Sequence, residues 1–179
     1  MSMARGLDPL PAGLIVAGAL TISGLVSRPY SPDPSHPRLR RWYKALDKPR
    51  VTPPDAAFGI MWPILLTGLG VGAYRLLRRD STPARNVAIG LAGLTVVLVD
   101  GYAKITFGDR DLSAGSIESR ALVGVAATYV AVAATVDRPA AALGLPLALW
   151  SGFGSWLTDE LAVRNPRLDS GAAPGFTSS

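Results

Sequence analysis

WYKALDKPRVTPPDAAFGIMWPILLTGLG, residues 42–70, joins a proline-punctuated polar stretch to a long apolar run. After Asp55 no charged residue appears until Arg75. A helix over 54–77 is therefore long enough to cross a hydrocarbon core of ~30 Å. Pro53 and Pro54 close the polar part, and Pro54 suits a first helical turn, where its missing N–H removes no bond. The stretch reads as a loop feeding a membrane span.

The same pattern recurs on either side. Apolar runs with few charges cover residues 10–27, 86–106, 121–136 and 139–160, and the charged residues gather between them. The chain is thus expected to be an all-α membrane protein, a bundle of five transmembrane helices in one domain over 1–165. A tail over 166–179, rich in proline, glycine and serine, is expected to be disordered. The first run has charged flanks and no small-residue cleavage site, so it is read as a span rather than a signal peptide.

The formal charge of +5 raises the question of nucleic acid. The basic residues sit between apolar runs with no base-stacking motif around them, which fits lipid headgroups and topology and not a nucleic-acid partner. Cysteine is absent, so disulfides, thiolate nucleophiles and cysteine metal sites are excluded. No metal site is expected from the lone histidine, His36, which lies among prolines.

Residues 28–53 form a long first loop. Its first half carries Pro29, Pro32, Pro34 and Pro37, which oppose regular structure, and Leu39 to Leu46 reads as a short amphipathic helix. Five spans put this loop and the C-terminus on one side with twelve of the eighteen Lys/Arg residues. That excess predicts a cytoplasmic loop and C-terminus.

Within the spans Gly68, Gly70, Gly72, Gly90, Gly93, Gly152 and Gly154 allow close helix approach. Gly68-x-x-x-Gly72 fits either a homodimer seam or packing inside one chain.

Two aromatic faces stand out. Phe58, Trp62, Leu65 and Leu69 share one face of the second span, and Pro146, Trp150, Phe153 and Leu157 one face of the fifth. Such faces make an aromatic core or a lipid-facing surface or, if opposed, a slot for a flat hydrophobic ligand. Asp100 is a carboxylate inside a span, which usually faces the bundle interior or a partner. Lys104, four residues on, is the expected partner. Tyr102 and Thr158 are further polar handles. No nucleophile-base set, phosphate loop or metal-ligand pair is visible, so no catalytic residue is assigned and no cofactor is obligatory.

The opening stretch resembles the translocator-protein family, the tryptophan-rich sensory proteins. Trp42, Tyr43, Leu46, Lys48, Pro49, Pro53, Pro54, Phe58, Gly59, Trp62, Leu65 and Gly70 fall in register with that family's W-Y-x-x-L-x-K-P-x-W-x-P-P-x-x-x-F-G-P-x-W motif and the residues after it. Pro146, Trp150, Phe153 and Leu157 match its fifth-span pattern. The chain departs at Val51, Ile60, Leu66, Leu147 and Thr158. In the third span, either Tyr102 replaces the family's tryptophan or Asp100 its asparagine.

The resemblance implies a membrane protein that binds a porphyrin or another tetrapyrrole in a pocket capped by the first loop. Phe58, Trp62, Trp150 and Phe153 would form its walls, Tyr43, Pro53 and Pro54 its lid, and Asp100 or Tyr102 its polar anchor. Transport, sensing or stress regulation would follow from binding. Light- or oxygen-dependent porphyrin breakdown and ligand-free scaffolding are the other implied readings.

Overall fold

A computed structural model describes residues 5–171. Six α-helices make up the fold: α1 (Pro9–Ser27), α2 (Pro37–Ala45), α3 (Asp55–Leu77), α4 (Pro83–Ala103), α5 (Leu112–Val136) and α6 (Arg138–Arg164). No strand occurs among the described residues. Every helix except α2 is long and apolar enough to cross a membrane. The chain is a five-span bundle with one short helix in the first loop.

The helix starts are written in the sequence. Pro9, Pro37, Pro83 and Pro139 occupy first-turn positions. Thr82, Asp111 and Asp137 cap α4, α5 and α6 by accepting the N–H of Arg85, Ala114 and Ala140. Asp111 starts α5 well before Ala121, where the uncharged run begins. Glu118 and Arg120 therefore lie inside the helix, and Arg120 is stabilised there by pairing with Asp159 of α6 at 2.9 Å. The proline-rich half of the loop is also more ordered than expected, since Arg28–Tyr30 form a 3-10 turn.

α5 packs on α4 and α6, α3 on α6, and α1 leans on α3 and α4. Lipid supplies no hydrophobic drive between helices, so small residues and polar contacts hold them together. The central cluster is rich in alanine: Ala88, Ala92, Ala126, Ala133, Ala140 and Ala141 pack with Leu65, Leu69, Leu76, Leu147 and Tyr129. Gly72 brings α3 against the Ala140 carbonyl and the Tyr129 hydroxyl, and Gly68 meets the Leu143 carbonyl. The Gly68/Gly72 face is thus occupied by the chain itself. Tyr129 donates to the Ala140 carbonyl at 3.1 Å, so its buried hydroxyl is satisfied.

The two ends of the bundle are built differently. At one end Asp137 receives Arg75 and Arg79 at 3.0 and 2.7 Å, with its side chain 1% exposed. Arg85 caps the last carbonyls of α3, at Leu76 and Leu77. At the other end sit α2, the α4–α5 link and the C-terminal segment. Residues 166–171, part of the tail expected to be disordered, fold back onto this end. Buried Asp169 accepts the Leu112 N–H at 2.8 Å and the Ser113 hydroxyl at 2.6 Å. The rest of that tail, 172–179, lies outside the described residues.

Candidate functional site

α2 is amphipathic. Leu39, Trp42 and Tyr43 point inward, and Leu46 follows at its end, while Arg38, Arg40, Arg41 and Lys44 are exposed. The inward face joins Leu112, Leu157 and Leu161 in a second buried cluster, against which Phe58, Phe107 and Phe153 pack. The first loop is therefore a lid resting on apolar and aromatic side chains from α3, α5, α6 and the α4–α5 link.

The lid is fastened at several points. Trp42 donates its indole N–H to the Leu168 carbonyl at 3.0 Å. Asn165, just beyond α6, accepts the Asp47 N–H at 2.7 Å and donates to the Asp47 carbonyl at 3.0 Å. Lys48 lies 3.4 Å over the Tyr43 ring and reaches Asp55 at the start of α3 at 3.5 Å. Burial first, and the Asp55 carboxylate second, push the Tyr43 phenol above its ordinary value, so it remains a neutral hydroxyl. Pro53 is half-buried, and exposed Pro54 immediately precedes the first residue of α3.

Beneath the lid lie two groups of rings. Phe58 of α3 touches Trp150 of α6 at 5.8 Å between centroids, Trp150 touches Phe153 at 5.7 Å, and Phe153 touches Trp156 at 5.9 Å. Phe107 forms edge contacts with Tyr43 at 5.8 Å, Tyr102 at 6.0 Å and Trp42 at 6.5 Å. Trp62 is half-buried one turn beyond Phe58. Tyr102 shares a 2.7 Å hydrogen bond with Thr158 of α6, whose hydroxyl also reaches the Gly154 carbonyl.

The third-span residues separate cleanly. Residues two apart on a helix point to nearly opposite faces. Tyr102 turns to α6 and the rings, whereas Asp100 turns to α1 and accepts the hydroxyls of Ser23, at 2.7 Å, and Ser27. The expected Asp100–Lys104 pair does not form: Lys104 binds Asp109 at 2.7 Å instead. The helix is intact between the two, since the Lys104 N–H still bonds to the Asp100 carbonyl; Asp100 is instead taken up by the α1 serines. The Asp109 N–H bonds to the Lys104 carbonyl five residues back, a π turn over Lys104–Gly108 that brings the Asp109 carboxylate within reach of Lys104 and shifts the helical phase of the residues after it. His36 contacts the Ser35 hydroxyl and Asp33.

Tyr43, Phe58, Tyr102, Trp150, Phe153 and Thr158 thus gather at the lid end, with Pro53 and Pro54 leading from the lid into α3, Trp62 one turn further along α3, and Asp100 on another face. Phe107 and Asn165 were absent from the expected set. Phe107 is placed by the π turn, which leaves no signal in hydropathy. Asn165 is one polar residue among several after the fifth span, and hydropathy does not single it out.

A model of the TspO/MBR family matches residues 12–164. The chain is 29% identical over 133 residues to the "Tryptophan-rich protein TspO" of Chlorobaculum tepidum, covering 73% of this chain and 84% of that protein. It is 28% identical over 126 residues to the "Uncharacterized membrane protein YtaB" of Bacillus subtilis, covering 70% and 81%. It is also 29% identical over 119 residues to the human "Translocator protein", covering 65% and 70%.

Proposed function

Because the chain belongs to the TspO/MBR family of membrane proteins, we propose that it binds a flat hydrophobic ligand, a porphyrin or other tetrapyrrole, beneath the α2 lid. The observation that carries this reading is the run of contacting rings, Phe58 to Trp150 to Phe153, roofed by the apolar face of α2. Rings in mutual contact occupy the space that a planar ligand would take. The ligand enters when the lid lifts and Phe58 and Trp150 part, exchanging ring–ring for ring–ligand stacking.

In this reading Phe58, Trp62, Trp150 and Phe153 are walls and Tyr43, Pro53 and Pro54 belong to the lid. Tyr102 with Thr158 is the polar anchor, in preference to Asp100. The basic outer face of α2 draws ligand carboxylates toward the lid, an attraction that salt weakens. Transport is the role suggested by the human relative, the translocator protein, with sensing or stress-related regulation as the other uses of such binding. The loop and C-terminus are assigned to the cytoplasmic side by their excess of Lys/Arg.

Titrating purified protein with protoporphyrin while following tryptophan fluorescence tests the reading. Saturable quenching is expected, and Trp62→Ala should weaken it at least tenfold, about 1.4 kcal/mol. Unchanged affinity in a folded Trp62→Ala variant rejects the pocket. Absorbance in light and dark separates binding from breakdown: a protein-dependent product that vanishes in Trp62→Phe would make the protein a catalyst. No saturable quenching at all would leave a scaffold.

A further inference from the structure

A second space borders the ring cluster and shares Phe107 with it. A cavity of about 510 Å³ opens between the end of α1, the first turn of α2 and the π turn. Its lining combines apolar Leu39 and Phe107 with cationic Arg38 and Arg110 and polar Tyr30 and His36. Neither guanidinium has a carboxylate partner among the described residues. The nearby acids are engaged elsewhere, Asp33 with Ser35 and His36, and Asp109 with Lys104. The two guanidiniums thus line the cavity without a salt-bridge partner, while the carboxylates of Asp33 and Asp111 beside it are hydrogen-bonded to Ser35 and to the Ala114 N–H.

Arg110 is held there against its backbone preference. Its φ of 58° is the one positive value at a non-glycine residue among those described. The Arg110 carbonyl accepts the Ser170 N–H at 3.0 Å, and its guanidinium stands 6.0 Å from the Trp42 ring. The first turn of α2 adds to the charge. Pro37 has no N–H, and the first helical bond is made by Arg40 to His36, which leaves the Arg38 and Leu39 N–H groups without intrahelical acceptors. On the same end of the bundle, Ile22, Leu25 and Val26 of α1 are exposed large apolar residues. A cationic recess thus sits at the end of a lipid-facing helix.

We propose that this cavity binds the phosphate headgroup of an anionic phospholipid, with the acyl chains lying along α1. A zwitterionic headgroup would bring its own cation into a recess that already holds two, so an anionic lipid is selected. The apolar part of the lining and the exposed face of α1 favour a lipid over free phosphate. The site shares Leu39 and Phe107 with the cluster beneath the lid, so it is tested on protein free of tetrapyrrole, where only the lipid can report.

Native mass spectrometry of the delipidated full chain in detergent reads the proposal directly, with phosphatidylglycerol titrated against phosphatidylcholine. One phosphatidylglycerol per chain should be retained, at about tenfold lower concentration than phosphatidylcholine. Arg38→Gln combined with Arg110→Gly should abolish that preference. Glycine accepts the positive φ at Arg110 without strain, so the variant keeps its fold, checked by an unchanged melting temperature in detergent. Equal retention of the two lipids, or an undiminished preference in the folded variant, overturns the site. Inorganic phosphate that displaces phosphatidylglycerol at matched concentration overturns the lipid assignment.

Discussion

Lys48 covers Tyr43, Pro49 is buried, Leu46 enters the cluster beneath α2 and Trp42 reaches back to Leu168. These residues assemble and fasten the lid, while the ring surface below it comes from α3, α6 and the α4–α5 link. The third span makes the same division of labour testable. Asp100→Asn should leave protoporphyrin affinity within about twofold, because the side chain faces α1, whereas Tyr102→Phe should weaken it about fivefold by removing the hydroxyl bonded to Thr158. Fluorescence titration of both variants checks this, and the reverse order would return the anchor to Asp100. Asp137 carries a pH signature. Burial alone would raise its carboxyl, but hydrogen bonds from Arg75, Arg79 and the Ala140 N–H outweigh it and hold the group at about 2, below its ordinary 3.8. A depressed carboxyl stabilises the fold fully above its unfolded value and loses that contribution as pH falls through the folded one. The two arginines are partly exposed, so the contribution is roughly 1–2 kcal/mol. Thermal unfolding in detergent between pH 5 and pH 2 should show this loss in the native chain and not in Asp137→Asn.

Among the elements, α2 and the segment after α6 depend on each other. Asn165 satisfies both backbone groups of Asp47, so Asn165→Ala should cost about 2 kcal/mol and free the lid. Limited proteolysis should then cut within residues 46–54 sooner than in the native chain, and unchanged cutting would show the lid held elsewhere. The spans themselves were legible because uncharged runs of membrane length leave few other folds. α2 was legible from the alternation of Leu39, Trp42, Tyr43 and Leu46 with arginine and lysine. What stayed hidden depended on pairing across the chain. α5 starts early because Asp111 caps it, with Arg120 meeting Asp159 across to α6, and residues 166–171 are ordered because Asp169 finds the first turn of α5. Glycine and serine content alone gave the opposite expectation for that segment. Likewise the site's rings were readable from helical spacing, but Phe107 was not, since a π turn shifts the phase by a residue without changing composition.

For the whole molecule, the decisive constraint is how closely α3, α5 and α6 approach around Tyr129. Gly144 lies against the Tyr129 ring and Gly72 against its hydroxyl, each leaving no room for a Cβ. Gly144→Ala should destabilise the bundle by roughly 1–3 kcal/mol through overpacking, read as a lowered melting temperature in detergent. Gly90→Ala, with open space at the same position on α4, should leave it unchanged. Polar contacts add the remaining ties, Asp100 to α1, Tyr102 to Thr158 and Ser119 to Ser155. The unlike ends of the bundle bear on the proposed binding beneath the lid. Asp137 and its two arginines tie one end by charge, whereas the lid at the other hangs on a few carbonyl and amide contacts. A ligand bound as proposed would come and go at the lid end, and passage along the axis would first have to break the Asp137 pairs.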